Sequence, residues 1–140
     1  MQQNKQILPQ EMDVWYVLPA IRKAFALAMV ASGLTQKQAA ALLGVTEAAV
    51  SQYKKEKRAA GLVLDAHALA MVREAVQRIV MKQSTAFAEI MRIDDELKRS
   101  GIFCQLHRLK SQTPDGCEAS CGRHFLKMRS NPKLAVVSHG

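Results

Sequence analysis

Residues 36–55 read QKQAAALLGVTEAAVSQYKK, and this stretch decides the fold. A threonine stands before each of its two helix-forming runs, Thr35 before Gln36 and Thr46 before Glu47. A threonine hydroxyl can accept from an amide in the first turn that has no intrahelical partner, so each reads as an N-cap. Gly44 falls between the runs, where a chain that ends one helix and at once begins another needs a left-handed residue. Two short helices are expected, Gln36 to Leu43 and Glu47 to about Lys57, joined by a tight turn. Ala40 is small where they must cross closely, Val50 faces inward from the second, and Leu43 and Val45 fill the angle between them.

Working outward, Leu18-Pro19 is expected to open a preceding helix, in which Ile21, Phe25, Ala28 and Met29 recur at helical spacing until Ser32-Gly33. After the basic cluster Lys54 to Arg58, Asp65 reads as the cap of a longer helix carrying Leu69, Val72, Val76, Ile79 and Val80. Following a break near Ser84-Thr85 the pattern resumes through Phe87, Ile90, Met91, Ile93 and Leu97 to Gly101. Beyond it the sequence turns short and irregular, with Pro114-Asp115-Gly116 as a turn. The expected class is all-α. Its parts are a tail over 1–14, a helix-turn-helix domain over 15–64, helices that pair two protomers over 65–100, a cysteine-rich segment over 101–129 and a mobile tail over 130–140.

The 140 residues allow one ordinary domain, or a minimal one with a small second module, and 49% hydrophobic residues suffice for a core. Aromatic residues are only 5%, which suits helices packed closely through alanine. Lysine and arginine number 20 against 12 acids, a net charge of +8 that favours a polyanionic partner. The excess lies at the two ends, whereas residues 61–100 are balanced, as a segment for packing or dimerisation would be. No uninterrupted apolar run of about 18 residues occurs and the N-terminus lacks a signal pattern, so a cytoplasmic protein without a membrane partner is expected.

The segment GLTQKQAAALLGVTEAAVSQYKKEKR, residues 33–58, resembles the lambda-repressor/Cro-like helix-turn-helix class, and the resemblance extends over about residues 15–64. It implies that the second helix of the motif enters the major groove of a double-stranded DNA operator, with Thr46, Glu47, Ala48, Ser51 and Gln52 toward the bases. The chemistry agrees: Gln52 offers a donor and an acceptor to adenine, Ser51 serves either role, Ala48 meets a thymine methyl, and Glu47 accepts from cytosine. Gln36 and Lys37 would touch phosphate, as would Lys54, Lys55, Lys57 and Arg58, which add affinity without sequence information.

The three cysteines crowd into one short segment. Twelve residues separate Cys104 from Cys117 and three separate Cys117 from Cys121, while His107 and His124 each follow a cysteine by three. Thiolates and imidazoles at such spacing suit zinc or an iron–sulfur cluster, and metal-free thiols remain open on these residues alone. The VWYVLPAIRK opening at residues 14–23 and GIFCQLHR at 101–108 are similar to a family of archaeal and bacterial predicted transcriptional regulators. In that family a helix-turn-helix is joined to a C-terminal cysteine-rich segment. The resemblance implies a cluster, [2Fe–2S] or [4Fe–4S], on Cys104, Cys117 and Cys121. The family's two further cysteines correspond here to Met91 and Asp94, so a fourth ligand would come from Asp94, His107 or His124.

The reading is a homodimeric regulator sensing redox or iron status. Two alternatives stand beside it: an antitoxin-like adaptor with a structural zinc site, and an enzyme using a cysteine nucleophile with His107 or His124 as base. No phosphate loop, nucleophile elbow or paired carboxylates accompany the cysteines, so no enzyme is expected.

Overall fold

The computed structural model describes residues 7–55, 63–101, 104, 107 and 108, and every regular element among them is a helix. The first, α1 (Pro9–Met12), passes through a π-helical turn at Asp13–Val17 into α2 (Leu18–Ala31), so that Pro9 to Ala31 is continuous. This corrects the expected start at Leu18, and residues 9–14 of the segment read as a tail are helical. The π turn explains why the sequence misleads. Buried Met12 and Val17 are five positions apart, whereas Val17, Ile21, Phe25 and Met29 follow at four, so the apolar stripe loses its period at the turn. Pro19 has no amide to donate to the carbonyl of Trp15, and the turn ends just before it, where a regular ladder would be broken in any case.

The chain continues as α3 (Gln36–Leu43), α4 (Glu47–Lys55), α5 (Ala66–Val80) and α6 (Ala86–Arg99). Residues Met12–Asp94 form one compact unit in which α2 is the hub. It packs against α3, α4 and α5, and α3 packs against α4. Ile21, Phe25 and Met29 of α2, Val50 of α4 and Val72 of α5 are essentially removed from solvent. Burying side chains of that size contributes about 1.5–3 kcal/mol each, which holds helices too short to persist alone. By length and a mean hydropathy of 1.5 the Pro9–Ala31 helix would reach across a bilayer. Its middle carries Arg22 and Lys23, however, and its Ile21, Phe25 and Met29 stripe lies in the protein core.

An ion network ties α5 to α6. The buried Glu89 carboxylate accepts from Arg78 Nε at 2.9 Å and Nη2 at 3.0 Å, and from Arg92 Nε and Nη2 at 3.1 Å. Hydrogen bonds from Arg78 dominate, with help from Ser84 and Arg92, and hold Glu89 at a pKa of about 2 against the opposing effect of burial. The apolar set read along residues 87–97 divides between two faces. Ala86, Glu89, Ile93 and Leu97 are buried, but Phe87 is 78% exposed and Met91 58%. Residues Met1–Glu11 and Asp95–Gly140 belong to a second unit, in which Ile7, Leu97 and His107 are buried.

Candidate nucleic-acid interface

The geometry of residues 35–55 follows from its caps. Thr35 Oγ1 accepts from the Gln38 amide at 3.1 Å, while Gln38 Oε1 accepts from the Thr35 amide at 2.9 Å, a reciprocal capping box. Gln38 is a residue that reasoning from Thr35 alone misses, although the T-x-x-Q spacing carries it. The box leaves the Gln36 and Lys37 amides at the open N-terminal end of α3, where the helix dipole and outward N–H groups favour an anion. At the other end Gly44 adopts φ +69°, and the Val45 amide donates to Ala40 O at 3.0 Å to close the turn. Thr46 Oγ1 then accepts from the Ala49 amide at 3.1 Å and starts α4.

The turn fixes which way α4 faces. At about 100° per residue, Glu47, Ala48, Ser51, Gln52 and Lys55 fall within an arc of about 140°. The opposite side holds Val50, which is buried, and Tyr53, which is half-buried. Glu47, Ala48, Gln52, Lys54 and Lys55 are exposed and Ser51 is half-buried, so α4 offers one outward face flanked at its C-terminal end by two lysines. Lys37 is exposed and Gln36 half-buried at the start of α3. Thr46 is exposed, with its hydroxyl engaged in the cap. Lys57 and Arg58 lie outside the described residues.

Of the proposed cluster ligands, Cys117, Cys121 and His124 also lie outside the described residues. Cys104 is a half-buried free cysteine. Residues 104 and 107 are each helical. His107 is buried, and its Nε2–H donates to the carbonyl oxygen of Ile7. That bond sets the tautomer, so metal ligation by His107 would have to use Nδ1. Asp94 is half-buried on α6. Among the described residues no three metal-ligating side chains converge.

Residues 25–62 match the family model described as helix-turn-helix. Searches of curated proteins and of solved structures gave no match. The match covers α3, the Gly44 turn and α4, so the surface described above belongs to a helix-turn-helix DNA-binding domain.

Proposed function

We propose that this chain is a sequence-specific transcriptional regulator that binds a two-fold-related DNA operator as a homodimer. The observation that carries the DNA-reading part is the outward face of α4. Its polar and small side chains, Glu47, Ala48, Ser51 and Gln52, stand opposite the buried Val50, and lysines follow them at the helix end. The α-helix fits the major groove, and this mix of donor, acceptor and methyl reads base edges while lysines meet phosphate. Thr46 is carried into the groove by the same placement, and Gln36 and Lys37 clamp the backbone from the start of α3. Lys57 and Arg58 extend the phosphate contacts on the sequence reading. We place such a protein in the cytoplasm.

Homodimerisation belongs to this proposal. The support is the unpaired apolar side chains of the 65–100 segment, foremost Phe87 and Met91, one turn apart on α6 and both exposed. Regulation by an iron–sulfur cluster belongs to it as well. Cys104, together with Cys117 and Cys121, supplies thiolates. Asp94, His107 through Nδ1, or His124 completes the set. When bound, a cluster supplies a one-electron redox group whose state changes the charge of the C-terminal segment.

Selection of binders from a random-sequence duplex pool tests the first part. Enrichment of a two-fold-related motif is expected, and a pool that stays random after several rounds sinks it. Anaerobic purification with iron, sulfide and zinc analysis tests the second. Matched iron and sulfide that are lost in Cys104→Ala support the cluster, whereas stoichiometric zinc recasts the segment as a structural knot. No metal leaves a regulator with free thiols.

A further inference from the structure

Between the end of α2 and the C-terminal half of α5 lies a half-open cleft of about 350 Å³. It lies wholly within the Met12–Asp94 unit. The α2 wall is Ala28 and Ala31, too small to fill the space, and the α5 wall is Val76, Val80 and Met81. The lining is largely apolar. Arg73 and Gln77, one turn apart on α5, and Ser32 are the polar residues of the lining among the described residues. Ser32 Oγ is turned to its own helix and donates to Met29 O at 2.9 Å, so the polar chemistry facing the cleft comes from α5.

The two arginines of α5 differ in circumstance. Arg78 is held by Glu89 at 2.9 Å. Arg73 has no carboxylate partner among the described residues, yet it is the one charged side chain on the cleft lining. An aliphatic cleft lined also by an exposed guanidinium, with an amide one turn along the same helix, complements a short acyl chain ending in a carboxylate. The volume lies at the small end of ligand pockets, which suits a small metabolite rather than a folded partner.

We propose that this cleft binds a small aliphatic carboxylate, its chain against Ala28, Ala31, Val76 and Val80 and its carboxylate on Arg73 and Gln77. The cleft adjoins the helix-turn-helix along the chain. Ala31 and Ser32 end α2, and the turn that follows leads to Thr35, the cap that orients α3. Resting on the DNA-binding reading, the proposal adds that ligand and operator alter each other's affinity by the same factor.

The test uses octanoate as probe on the full chain, read by amide chemical shifts without DNA. Saturable shifts at residues 28–32 and 73–81 are expected at millimolar concentration, with octan-1-ol and octylammonium binding about tenfold more weakly or not at all. Arg73→Gln, an exposed substitution, should lose about tenfold in octanoate affinity, and Ala31→Phe should abolish binding by filling the trough. The circular dichroism of both variants should be unchanged. No saturable shifts, equal affinity in Arg73→Gln, or equal binding of all three probes overturns the site. Shifts of the same residues with protein concentration alone also overturn it, because they would put a second copy in the cleft. A second titration with operator DNA separates the two readings: octanoate that binds and leaves operator affinity unchanged removes the coupling and leaves the site.

Discussion

At the scale of single residues, the helix-turn-helix rests on one backbone angle and its proposed readout on a few side chains. Gly44 holds φ +69° with open space around the position a side chain would take. Any substitution there is therefore limited by backbone strain alone. Gly44→Ala should destabilise by about 1 kcal/mol, seen as a lower urea midpoint at unchanged slope. Gly44→Asn should cost less, because asparagine tolerates the left-handed region. Equal losses for the two would show that the angle is not what Gly44 supplies. On the surface, Gln52 and Lys55 share a face of α4, and on the proposed reading they would ask different things of DNA. Gln52→Ala should cost about 1–3 kcal/mol at one operator position and relax preference there. Lys55→Ala should weaken all sequences alike and lower the salt slope by about one. If both leave operator binding intact, α4 is not the reading helix.

At the scale of elements, the α5–α6 pair depends on Glu89. Its folded pKa of about 2 lies below the ordinary 4.5. The stabilisation is thus fully present above about pH 4.5 and is lost as pH falls from there toward 2. At about 1.4 kcal/mol per pH unit the whole window has an upper limit of about 3 kcal/mol, and solvent screening at the partly exposed Arg78 and Arg92 ends brings the contribution below that. Wild-type protein should lose thermal stability across that window more steeply than Glu89→Gln, and parallel profiles would exclude Glu89 as the acid-sensitive link. This pairing could not be read from sequence, because Arg78 and Glu89 lie eleven positions apart on different helices. What sequence carries well is local: Thr35, Thr46 and Asp65 cap α3, α4 and α5 as their spacing implies, and Gly44 ends α3 in the left-handed conformation. The α1–α2 start fails for a local reason too, since a π turn shifts the period that pattern reading relies on. Phe87 and Met91 show the complementary limit. Hydropathy gives them the same weight as Ile93 and Leu97, and only packing decides that Ile93 and Leu97 face the core. The Arg73 cleft lay beyond reach because it is made by what alanines at 28 and 31 leave empty.

At the scale of the whole molecule, a net charge of +8 draws the chain to DNA but does not choose a sequence. One short recognition helix touches only a few base pairs, and useful discrimination from bulk DNA takes a second half-site. The exposed Phe87 and Met91 are where a second copy would supply it. Because both side chains stand in solvent, replacing them with serine removes apolar contact area without opening a cavity in the core. On the proposed dimer, wild type should sediment as a dimer at micromolar concentration and the doubly substituted chain as a monomer, at unchanged helical content. Its affinity for a duplex with two half-sites should fall on the order of a hundredfold, toward that of wild type for a single half-site, since the gain from linking two weak sites is lost. A wild-type monomer that binds the full operator tightly would instead place all specificity in one α4 and its flanking lysines, and the Phe87–Met91 face would need another role.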